Sequence, residues 1–147
     1  MDERYAMRLG ELRAMDREAA VTLEATRMLC GDVQLRAQLE QARADHERHV
    51  REIDALLTRA GEDPDAVSER SLSPSVLGLM QRARESAPGE AAERLAVVER
   101  VVGDRYQQFL QGGDVPAEAE GLMRSHIDDE IRHEHDLVEA DTGRCPR

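Results

Sequence analysis

Aromatic residues are nearly missing from this chain of 147 residues: it has no Trp, and Tyr5, Tyr106 and Phe109 are the full set. β-Sandwiches and barrels draw on aromatic and β-branched side chains for their strands, so the shortage argues against an all-β fold. Long apolar runs are lacking too. None approaches the ~18 residues that span a bilayer, and the charged stretch Met1-Asp2-Glu3-Arg4 has no apolar core of the kind a signal peptide needs. Basic charge is in the minority, with 20 Lys and Arg against 31 Asp and Glu and a net charge of −11. No basic stripe offsets that field, so phosphate backbones are repelled while metal cations and basic partners are attracted. Cysteine is limited to Cys30 and Cys145, far apart and without a Cys-x-x-Cys spacing, which indicates neither a disulfide framework nor a thiolate metal site. These shortages lead to the expectation of a cytoplasmic protein that binds neither nucleic acid nor membrane.

What is present is Leu, Ala, Val and Met at helical spacing. The periodicity predicts four long helices over about residues 2–30, 33–60, 90–111 and 116–140. Gly31-Asp32 stops the first and offers an N-cap to the second; Gly61 ends the second; Gly112-Gly113 ends the third. Asp114 is a candidate N-cap for the fourth, with Pro116 tolerated in its first turn. The short joints make helices one and two, and three and four, antiparallel hairpins. Residues 61–89 carry three prolines and form a crossover long enough to run the length of a bundle, with a short helix predicted from Pro74 to Glu85 through Val76, Leu77 and Met80. The domain thus covers 1–141 and leaves a tail at 142–147.

Acids and histidines fall on the apolar faces of these helices. On a wheel of ~100° per residue, His46 and His49 lie among Leu39, Ala42, Val50 and Ile53. Glu130 lies at the centre of the fourth helix's face, with His126 and His133 beside it. Glu99 is the one acid near the inward stripe of Leu95, Val98, Val102 and Tyr106; on helix one, Glu11 and Glu18 fall within the face drawn through Met15, Ala19, Thr22 and Leu29. A charge in a helix-bundle core costs several kcal/mol without a partner, so inward acids and histidines on all four helices need a common explanation. Distances from the two hairpin turns, at ~1.5 Å per residue, put Glu18, His46, Glu99 and Glu130 in one layer, with His49 and His133 one turn along; Glu11 is two turns too far away. A weak repeat also links the hairpins. Asp45-His46-Glu47-Arg48-His49 matches Asp129-Glu130-Ile131-Arg132-His133 at Asp, Arg and His.

This pattern resembles the ferritin-like superfamily, four-helix bundles that hold two metals with one Glu from each of two helices and a Glu-x-x-His from each of the other two. The resemblance covers the four helices and the crossover. It implies an all-α ferritin-like bundle with Glu18 and Glu99 as the single carboxylates, Glu130 and His133 as one Glu-x-x-His, and His49 as the histidine of the other. His46 stands where that motif has glutamate, so the implied set has three carboxylates and three imidazoles. The implied cofactor is iron, as a di-iron pair, with manganese or zinc as alternatives. The implied activity is oxidation at the metal; the expected partners are metal ions and further copies of the chain in a homo-oligomer. Asp45 and Asp129 each precede a motif, where an aspartate orienting a histidine and a solvated helix flank are equally good readings, and His126 and Tyr106 are expected as core neighbours of the site. The alternative is a non-catalytic helical stress or interaction protein, whose inward polar groups hydrogen-bond to one another across a metal-free core.

Overall fold

In a computed structural model that describes residues 3–69 and 73–140, the chain is all-helical, with no strand among the described residues. Four long helices dominate: α1 (Glu3–Leu29), α2 (Val33–Arg59), α5 (Ala91–Gln111) and α6 (Ala117–Ala140). Between α2 and α5 lie two shorter helices, α3 (Pro64–Glu69) and α4 (Pro74–Arg84), and a 3-10 turn at Pro88–Glu90. The expected domain limit at 141 and the tail at 142–147 lie outside the described residues.

Local chemistry sets the joints. Asp32, in an extended conformation, accepts a hydrogen bond from the Leu35 amide at 2.7 Å and satisfies one of the free donors of the first turn of α2. Gly61 and Gly113 adopt φ of 80° and 76°, conformations that side-chain-bearing residues resist, and so end α2 and α5. Asp114 does not cap α6. Its φ is 53° and the helix begins only at Ala117; a cap needs an extended backbone, whereas Asp tolerates the left-handed turn found here.

α1 packs on α2 and α5 on α6, and the two hairpins meet through α1 against α5 and α2 against α6. Every neighbouring pair runs antiparallel. Along α1 and α5, Arg8 reaches the Phe109 carbonyl and Arg105 lies 3.4 Å from Glu11; along α2 and α6, Arg59 meets Glu118 at 2.5 Å while Asp45 meets His133. The crossover therefore leaves α2 at one end of the bundle and enters α5 at the other. It packs back on α1 through both α3 and α4, where the sequence predicted a single helix. Val76 and Met80 of α4 are buried, but Leu77 is 39 % exposed.

The core runs through Leu9, Met15 and Leu23 of α1, Leu39, Ile53 and Leu57 of α2, Leu95 and Val102 of α5, and Met123 and Leu137 of α6. Burying each such side chain contributes about 1.5–3 kcal/mol, and these apolar layers hold in place the polar layer described below. Cys30, at the α1–α2 turn, is buried and disulfide-bonded, where the cysteine spacing indicated no disulfide framework. Cys145, the other cysteine of the chain, lies outside the described residues. No described helix is long and apolar enough to cross a membrane.

Candidate metal centre

Midway along the bundle each long helix turns ionisable groups inward. Asp16 comes from α1, His46 and His49 from α2, Glu99 from α5, and Glu130 and His133 from α6; all six are buried, the most exposed at only 3 %. Their ligand atoms form two sets, Asp16 with His46, His49 and Glu130, and Glu99 with His46, Glu130 and His133, within each of which all atoms lie within 4.8 Å of one another. His46 and Glu130 belong to both.

An approximate two-fold relation between the hairpins organises the layer. His49 points Nε2 at Asp129 of α6, 2.8 Å away, and His133 points Nε2 at Asp45 of α2, also 2.8 Å away. Arg48 donates to Asp129 alongside His49, and Arg132 donates to Asp45 at 2.7 Å alongside His133. The repeated Asp-x-x-Arg-His thus works reciprocally, each helix supplying the aspartate that orients the other's histidine. An Nε2–H donated outward fixes the tautomer. Nδ1 of His49 is then left facing Asp16 at 3.2 Å and Glu130 at 3.5 Å, and Nδ1 of His133 faces Glu99 at 3.2 Å and Glu130 at 3.7 Å.

His46 lies between the halves. Its Nδ1 is 2.7 Å from Asp16 and its Nε2 is 3.0 Å from both oxygens of Glu99. Glu130, its counterpart across the pseudo-axis, is treated differently: neither oxygen accepts a hydrogen bond at ordinary distance, although both are buried, and its hydrogen-bonding neighbours are the acid Glu99 and His133, the latter at 3.7 Å. A buried acceptor without a donor costs about 1–3 kcal/mol, more if charged.

The electrostatics follow from this crowding. Burial pushes the Glu130 carboxyl well above the usual range, His46 opposing and Glu99 reinforcing the rise. Burial acts against the charged ring of His46, yet the carboxylates of Glu130 and Glu99 and the bond with Asp16 outweigh it and raise its pKa well above 6.5. His133 shows the same contest, with burial opposing and Glu130 and Glu99 lifting it to about 10. Glu99 is held well below its ordinary range, burial being overcome by His46. Without a cation, the layer is a proton-rich network in which burial favours the protonated form of Glu130, while the negative charge that Glu130 and Glu99 carry favours protonated His46 and His133.

Glu18, predicted on helix one, is not part of this layer. It is half-buried, and its carboxylate binds Arg84 of α4 at 2.5 Å, with the same guanidinium donating to Thr22 at 3.1 Å. The carboxylate that α1 does supply, Asp16, escaped the sequence reading. Redrawing the wheel through Leu9, Leu12 and Leu23 puts Asp16 at the centre of the buried stripe, and that apolar triplet was the available signal. His46, His49, Glu99, Glu130 and His133 are all in the layer. Tyr106 donates its hydroxyl hydrogen to Asp16, and His126, 3.1 Å from the same hydroxyl, stacks on His49 with ring centroids 3.8 Å apart. Burial, then the charge of His49, lowers the His126 pKa to about 3, so this ring is neutral. His135 is exposed and away from the layer.

Compared with known family models, curated proteins and solved structures, the chain finds no match in any of the three.

Proposed function

We propose that this chain is a metal-binding protein of ferritin-like architecture that holds divalent ions, iron first among them, in the layer between its hairpins. Manganese and zinc suit the same mixed nitrogen and oxygen donors. The observation that carries the reading is Glu130, a fully buried carboxylate whose two oxygens accept no hydrogen bond at ordinary distance although three imidazoles lie within 3.7 Å. A cation at that point would supply what both oxygens lack. In this reading Asp16 and His49 form one end of the site, Glu99 and His133 the other, and Glu130 faces both. Asp129 and Asp45 hold the two histidines with Nδ1 inward, while Arg48 and Arg132 keep those aspartates ionised. Three inner carboxylates bring −3 against +4 for two divalent ions. Bound iron would supply one-electron chemistry toward oxygen or peroxide, and bound zinc a fixed charge. Self-association belongs to the same proposal.

A second reading, a helical interaction protein without a working site, is favoured by one feature. At the α1–α2 turn Met28, Leu29 and Val33 are 72 %, 60 % and 81 % exposed, an apolar corner suited to protein contact. Elemental analysis of untagged protein separates the two. The metal reading expects close to two ions per chain, lost in Glu130→Ala with the helical circular dichroism retained. Folded wild-type protein with no stoichiometric metal from iron-, manganese- or zinc-supplemented medium favours the interaction reading.

A further inference from the structure

His46 and Glu130 are counterparts in the two hairpins, and each is shared by both ligand sets. Glu130 serves both because a carboxylate has two oxygens: Oε1 faces His46 and His49, and Oε2 faces His133. His46 also has two donor atoms, and they too face opposite ways. Nδ1 lies toward Asp16, in the set completed by His49; Nε2 lies toward Glu99, in the set completed by His133. The other two histidines differ in this respect, because each spends Nε2 on an aspartate of the opposite hairpin and offers only Nδ1 inward. No outer carboxylate takes up a nitrogen of His46.

We propose that His46 ligates both ions at once, Nδ1 on the Asp16 side and Nε2 on the Glu99 side, so that the centre is bridged by an imidazole ring as well as by Glu130. This rests on the metal-binding reading above and specifies it. Each ion then has two nitrogens and two oxygens from the protein: Asp16, Glu130, His46 and His49 for one, and Glu99, Glu130, His46 and His133 for the other. The ring's last N–H proton is released to solvent when the second ion binds, as metal ions deprotonate the groups that coordinate them. Exchanging a bridging carboxylate for a bridging imidazole raises the nitrogen share at both positions. That moves the preference toward zinc-class ions, including cobalt and copper, and away from manganese.

Zinc(II) is the probe, added to the full-length wild-type chain labelled with 15N at histidine. The readouts are zinc per chain and the ring 15N–1H spectrum. The expected result is two zincs per chain, with both His46 nitrogens metal-bound and free of hydrogen, while His49 and His133 each keep one Nε2–H. His46→Gln, a near-volume replacement that identifies the His46 signals, is expected to stay helical and to weaken the second zinc by on the order of tenfold or more. Two zincs with a ring N–H retained on His46 would overturn the bridge and leave metal binding standing. One zinc with that N–H retained would do the same. Failure of the wild-type chain to hold any stoichiometric zinc or iron would remove the metal reading itself.

Discussion

Asp16 and Glu18 are two residues apart on α1, yet the fold gives them opposite tasks. Asp16 is fully buried and gathers His46, His49 and Tyr106, while Glu18 sits at the edge and ties α4 to α1 through Arg84. Substitutions should separate them cleanly. Asp16→Asn keeps the shape but removes the charge that one ligand set depends on, so metal content is expected to fall from two ions per chain toward one. Glu18→Gln is expected to leave metal content unchanged and to lower stability by less than about 1 kcal/mol, the scale of a partly exposed ion pair. Elemental analysis and urea unfolding of both variants provide the check. Loss of metal in Glu18→Gln with retention in Asp16→Asn would restore the ligand set drawn from the sequence.

At the scale of helices, α1 explains what the sequence did and did not disclose. α2 and α6 each bury one stripe, so their inward His46, His49, Glu130 and His133 stand out against Leu39 and Ile53 or Met123 and Leu137. Glu99 is legible on α5 for the same reason. α1 touches α2, α5, α3 and α4, and residues around most of its circumference are buried. An amphipathic wheel has no single answer for such a helix, and a face drawn through Met15, Ala19 and Thr22 admits Glu18 while passing over Asp16. α3 was missed because its one turn is too short to show a period. Its seat is nevertheless written in the sequence at Gly10, where an added Cβ would stand 2.4 Å from Cγ1 of Val67 and 3.2 Å from its backbone. Glycine thereby lets α3 lie directly on α1. Gly10→Ala gains helix propensity but must push α3 away, and overpacking of this kind costs typically 1–3 kcal/mol. A net loss of stability in urea is expected, with protease sensitivity rising first in the crossover. A variant as stable as wild type, or more so, would mean that α3 is not seated there.

For the whole molecule, the buried layer makes stability a function of both pH and metal, and the two oppose each other as pH rises. Asp45 and Asp129 are held below their ordinary 3.8, burial being outweighed by His133 and His49 respectively, so their contribution is present above that pH and lost as pH falls through the folded values. Glu130 is raised; its proton is kept by the fold, so the metal-free chain loses stability as pH rises from 4.5 toward the folded value. His133, lifted from 6.5 to about 10, contributes fully below 6.5 and progressively less as pH climbs through about 10. The terms meet at acidic pH, so the thermal midpoint of metal-free protein is expected to peak at about pH 4 to 4.5 and to fall steadily toward pH 9. Bound ions replace those protons and need the same groups deprotonated, so metal affinity grows over the same interval. At a free metal concentration 100 times Kd the gain is about 2.7 kcal/mol for each ion, and because Kd falls as pH rises that gain grows across the interval and opposes the proton-driven loss. Calorimetric scans of metal-free and zinc-loaded protein across this range test the point directly. Glu130→Gln should flatten the metal-free curve between its peak and about pH 6.5, leaving the histidine-driven fall above it. A metal-free curve that rises toward alkaline pH would show that the layer is not proton-rich, and the case for a cation at its centre would lose its electrostatic basis.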